Sequence, residues 1–110
     1  MSNFLNYVDL IGTNPEKVFK AELFESDKIL VGINCLTPDQ TQDVHIHSDQ
    51  DKFYFVIKGS GEFIVGNDVQ QAGSGCVVWA ESGVPHGVKN TSDQLLVLLV
   101  GIAPAPQKKK

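Results

Sequence analysis

Three histidines, His45, His47 and His86, are the residues whose type and placement speak most directly of chemistry. His45 and His47 stand two apart in a short stretch, Val44 to His47, that reads as a β-strand, so both imidazoles are expected on one face. His86 follows Gly83-Val84-Pro85 on a separate, later strand. Imidazole is the commonest ligand for borderline transition metals, and three of them on converging strands can form one wall of a coordination sphere. Open positions on such a metal suit Lewis-acid or oxygenase chemistry. On spacing alone, however, His-x-His also arises from two half-exposed residues with no ligand role, and His86 by itself reads as a loop-end residue. The surroundings have to decide.

Other constellations are weak. Ser48 adjoins His47, but His-Ser adjacency is too common to define a nucleophile and its base. Cys35 and Cys76 lie far apart without CxxC spacing, and both are expected to be buried structural thiols. There is no arginine, so bidentate clamping of phosphates or carboxylates is not available. Without Lys108, Lys109 and Lys110 the body sets 6 lysines against 13 acidic residues, a balance of −7 that repels nucleic acid. The longest apolar stretch, Leu95 to Val100, is strand-sized, so no membrane span is expected. The N-terminus lacks the basic start and small-residue cleavage site of a secretory signal, which predicts a cytoplasmic protein.

The elements that must position these side chains read as short strands divided by turns. Strand-like segments run over Val18 to Glu25, Ile29 to Leu36, Val44 to His47, Phe53 to Lys58, Glu62 to Val65, Cys76 to Trp79, Val84 to Lys89 and Gln94 to Ile102. Ser26-Asp27-Lys28, Thr37-Pro38-Asp39, Gly59-Ser60-Gly61, Gly66-Asn67-Asp68, Gly73-Ser74-Gly75, Glu81-Ser82-Gly83 and Asn90-Thr91-Ser92-Asp93 separate them. About eight strands at this spacing predict an all-β sandwich or barrel. Helix is confined to the first dozen residues or the neighbourhood of Asn14-Pro15-Glu16. A single domain over residues 1–103 is expected, followed by a frayed, Pro- and Lys-rich tail over 104–110.

Two stretches resemble the paired motifs of the cupin superfamily. From Asp39 to Gly59 the chain is similar to Gly, five residues, His-x-His, three or four residues, Glu, six residues, Gly, with His45, His47 and Gly59 in place. From Gly75 to Asn90 it is similar to Gly, five residues, Pro, one residue, Gly, two residues, His, three residues, Asn, with Gly75, Gly83, His86 and Asn90 in place. The resemblance spans roughly residues 29–103. It implies a cupin-type double-stranded β-helix (a jelly-roll barrel) with His45, His47 and His86 as ligands of Fe, Mn, Ni, Cu or Zn. It also implies a homodimer joined through an outer sheet, for which Ile29-Leu30-Val31 and Leu95 to Val100 offer apolar faces.

Three positions depart from the motifs. Asp39 replaces the opening Gly, a mild change because Asp visits the left-handed region cheaply. Glu81 replaces Pro and puts a carboxylate near the mouth of the site. Lys52 stands where the resemblance places a metal-binding Glu, and an ammonium cannot ligate a cation. Asp51 could take over as a fourth, shorter ligand. The site could instead be a bare three-histidine face, as in cupin-type thiol dioxygenases, or Lys52 could turn inward, pair with a carboxylate and exclude metal. Lys52 could also lie along the wall with its ammonium in water. Tyr54 shares its parity and is expected to point the same way, and Trp79 is expected to pack near the rim. The expected function is a metal-dependent site for a small molecule, enzymatic or a ligand-binding sensor.

Overall fold

Leu96–Ala103 is apolar at nearly every position because it lies in the middle of a sheet and is covered on both faces. In the computed structural model, which describes residues 2–106, this strand is the last of nine. In chain order they are β1 (Phe19–Glu25), β2 (Leu30–Leu36), β3 (Thr41–His45), β4 (Asp51–Lys58), β5 (Ser60–Val65), β6 (Asp68–Gly73), β7 (Val77–Ala80), β8 (His86–Lys89) and β9 (Leu96–Ala103). All recorded pairings are antiparallel. One sheet runs β1-β2-β9-β4-β7 and the other β3-β8-β5-β6, the two layers of the jelly roll that the resemblance implies.

Between the layers lies a core of Leu36, Tyr54, Val56, Phe63, Val88, Leu96, Leu98 and Val100. A second cluster, Ile33, Cys35 and Val97, fills the opposite face of the larger sheet, where Tyr7 and Ile11 of the N-terminal segment close over it. Helical structure among the described residues is one 3-10 turn, Tyr7–Leu10, started by Asn6, whose Oδ1 accepts the Val8 N–H at 3.1 Å. No helix of the described residues is long and apolar enough to cross a membrane.

Several local expectations change. β6 has no counterpart in the sequence reading, because Asp68-Val-Gln-Gln is exposed and carries no apolar alternation. β3 ends at His45, so His47 lies just beyond the strand rather than on it. Cys76 is exposed in the turn after Gly75, whereas Cys35 is buried as expected and burial raises its thiol pKa. Of the two apolar runs expected to face a partner subunit, Leu96, Val97 and Leu98 are fully buried within the chain, whereas Ile29 is 40% exposed. The start of the expected tail is held, with Ala105 buried and the Pro104 carbonyl accepting from Gln50 Nε2 at 3.0 Å. The rest of that tail, 107–110, lies outside the described residues.

Asn90 shows what a motif residue can do for the scaffold. It is fully buried, donates from Nδ2 to the Leu36 and Gln94 carbonyls at 2.8 and 2.7 Å, and accepts the Ser92 N–H at 2.9 Å. It thereby ties the β8–β9 turn to the end of β2, with each amide atom satisfied.

Candidate metal centre

The site begins with a pair of strands that do not match in length. Gln42 on β3 pairs with Val88 on β8, and His45 pairs with His86, so two residues of β3, Asp43 and Val44, face the single Gly87. This is a β-bulge, and it reverses the side-chain parity of β3. Gln42 upstream of it and His45 downstream therefore both turn inward, although they are three apart. Gly87 permits the bulge: a Cβ there would sit 2.8 Å from the Gln42 carbonyl oxygen and 3.0 Å from the Val44 nitrogen. Gly83, at φ 81°, makes the turn before His86, and its N–H donates to the His47 carbonyl at 2.7 Å. That bond holds His47 beside the β8 strand.

The three imidazoles converge. One ligand nitrogen from each of His45, His47 and His86 lies within 4.8 Å of the others. His45 Nδ1 is 2.8 Å from the Asp43 carbonyl oxygen and His86 Nδ1 is 3.0 Å from that of Val84. A carbonyl only accepts, so each Nδ1 carries the proton and each Nε2 keeps its lone pair free. His86 Nε2 is buried with no hydrogen-bond partner among the described residues. A buried polar atom left without a partner costs roughly 1–3 kcal/mol, so this one is poised for a ligand the chain does not supply. Burial lowers the pKa of both His47 and His86, with further lowering from the neighbouring histidines and from Lys52. Neutral imidazoles at neutral pH are the form a metal requires. Three close imidazoles with free lone pairs could hold a metal ion.

Asp51 is not brought into this group. Along β4 the buried positions are Lys52, Tyr54 and Val56, so Asp51 has the opposite parity. Its Oδ1 accepts the Ser82 N–H at 2.9 Å, steadying the turn over 81–83 instead. Glu81 is exposed in that turn.

Lys52 turns inward and is only 4% exposed. Its ammonium donates to Gln42 Oε1 at 3.3 Å and lies 4.7 Å from the centre of the Tyr54 ring. The Tyr54 hydroxyl donates to the same Gln42 oxygen at 2.8 Å. The inward turn was one of the alternatives for Lys52, but its partner is a neutral amide rather than a carboxylate. Desolvation first, and the charge of Lys20 second, lower its pKa to about 8, while burial pushes Tyr54 far up. The Tyr54 ring reaches to 6.4 Å from that of His86, so this polar group and the histidines share one interior. Gln42 and Lys20 were missed in the sequence. Gln42 was hidden by the bulge, because strict alternation from His45 places it outside. Lys20 could have been found from the alternation of β1. Trp79, by contrast, is 54% exposed on β7 at the edge of its sheet and does not pack as expected.

With this geometry in hand, comparison with known proteins is decisive for family. The Cupin_2 cupin domain model matches residues 32–102, about two thirds of the chain. The chain belongs to the cupin family. It is similar to a solved protein from Thermus thermophilus, TT1209, at 35% identity and TM-score 0.92, covering 96% of this chain and 100% of that one. An RmlC-like cupin from Desulfovibrio desulfuricans aligns at 26% identity and TM-score 0.82, covering 94% and 98% of the two chains. A Thermotoga maritima protein described as a predicted oxalate decarboxylase aligns at 25% identity and TM-score 0.76, covering 78% and 79%. No functionally curated protein matches significantly.

Proposed function

We propose that the protein binds one divalent transition metal through His45, His47 and His86 and uses it to act on a small molecule inside the barrel. The observation that carries this is the orphaned, buried Nε2 of His86, aimed into a group whose other two donors lie within 4.8 Å. The protein's part is to orient three imidazoles and to keep those of His47 and His86 neutral. The Asp43 and Val84 carbonyls fix the tautomers of His45 and His86 by accepting from Nδ1. A bound Fe, Mn, Ni, Cu or Zn ion supplies Lewis acidity or redox chemistry with positions left open to a substrate. Lys52, Tyr54 and Gln42 form the adjoining wall and offer that substrate a cation, a hydroxyl and an amide.

A second reading, a non-catalytic ligand-binding or sensor cupin, draws on one observation: Lys52 fills the motif position of the fourth ligand, and no carboxylate of the described residues joins the histidines. Anaerobic loading with each metal in turn, followed by measurement of bound stoichiometry, tests the metal reading. One equivalent is expected for the wild type and substantially less for His86→Gln. Binding that ignores His86 contradicts it. Turnover of a small-molecule panel by the loaded protein then separates enzyme from sensor.

A further inference from the structure

The interior beside the histidines contains a charge that the fold leaves almost unanswered. An ammonium has three protons to donate, and Lys52 at 4% exposure uses one, in a 3.3 Å bond to an amide oxygen that Tyr54 already occupies at 2.8 Å. Among the described residues, the charged neighbour that shifts its pKa is another cation, Lys20. A buried charge is normally paired.

The two lysines line one cavity of about 240 Å³ together with Glu22, Asn34, Val100 and Ile102. Lys20 stands opposite Asn34 in the β1–β2 register, and Lys52 opposite Ile102 in the β4–β9 register, so the cavity opens on the inner face of the larger sheet. A further cavity of about 420 Å³ shares Lys20 and adds Lys17 and Gln42. The charge of Lys52 is felt at His47 and His86, which puts the amine within electrostatic reach of the metal ligands.

We propose that Lys52 and Lys20 form a seat for a carboxylate group of the small molecule that the barrel binds. Two ammonium groups against Glu22 leave one net positive charge on this wall, which matches a monoanion better than a phosphate dianion. Lys52 keeps its proton at neutral pH, since its pKa of about 8 still lies above 7. Asn34 and Val100 provide the mixed polar and apolar lining a small carboxylic acid needs, and Gln42 Oε1 with the Tyr54 hydroxyl holds the Lys52 head in place. The seat deepens the small-molecule reading above, but it does not require the metal to be bound.

The test is an NMR titration of the metal-free protein with propionate, with propionamide as its neutral isostere and with inorganic phosphate, at constant ionic strength. The expected result is saturable shifts of the Lys20, Gln42, Lys52 and Tyr54 backbone amides, with propionate binding at least about tenfold tighter than propionamide. Lys52→Met should abolish that preference, and Lys20→Met, at an exposed position, should reduce it severalfold. Equal affinity for acid and amide, or a preference that survives both substitutions, overturns the seat. Tighter binding of phosphate than of propionate overturns the carboxylate assignment. Metal stoichiometry measured on the same preparations keeps the two readings apart, because failure of the histidine site leaves the metal-free titration unaffected.

Discussion

At the scale of single residues, Lys52 sets function against stability. Its folded pKa of about 8 lies below the ordinary 10.5, so between those values the unfolded chain binds more protons and stability rises with pH. Below pH 8 the buried charge is a standing penalty. We therefore expect Lys52→Met to stabilise the ligand-free protein by about 1–3 kcal/mol at pH 7, with the advantage shrinking to under about 1 kcal/mol at pH 10. Urea unfolding of both proteins across that range checks it, and a Lys52→Met variant less stable at pH 7 refutes it. Lys52 was legible in the sequence as an anomaly, because the motif position is fixed and the residue type is wrong for a ligand. Its Gln42 partner was not legible, because a bulge leaves no trace in residue order.

At the scale of elements, the site depends on β3 and β8 meeting out of step. Gly87 faces the two extra residues of β3, and any side chain there meets backbone rather than a movable side chain. Gly87→Ala is expected to destabilise the fold by about 2 kcal/mol or more and to weaken metal affinity by about tenfold or more, since His45 is repositioned with the bulge. Denaturant melts and a chelator competition assay measure the two effects. A variant with native metal affinity would show that the bulge does not position His45. Asp39 illustrates a reading that the backbone bears out: it adopts φ 70°, the left-handed conformation that the motif's Gly would take and that Asp tolerates. Strands with alternating or continuous apolar residues, such as β4 and β9, were evident from the sequence. β6 was not, because its partner β5 and the turn at Gly66 define it rather than any apolar face of its own.

At the scale of the whole molecule, two sheets with one interior bring His45, His47 and His86 together from positions up to 41 residues apart in the chain. The two motifs made that convergence readable, since their spacing specifies both the barrel and the ligand positions. What spacing could not convey was the second coordinate of the site, the direction each wall residue faces. Parity places Asp51 with the 81–83 turn and Lys52 in the interior, so the side chain next to the histidines is a cation and the carboxylate is a scaffold residue. The central claim is that three imidazoles, and no protein carboxylate, hold the metal. X-ray absorption spectroscopy of the cobalt- or zinc-loaded protein tests it most directly. The account predicts imidazole scattering from three ligands at about 2.0–2.1 Å for zinc, falling to two in His86→Gln and unchanged in Asp51→Asn. Fewer than three imidazoles in the wild type, or a spectrum that changes when Asp51 is replaced, would contradict it.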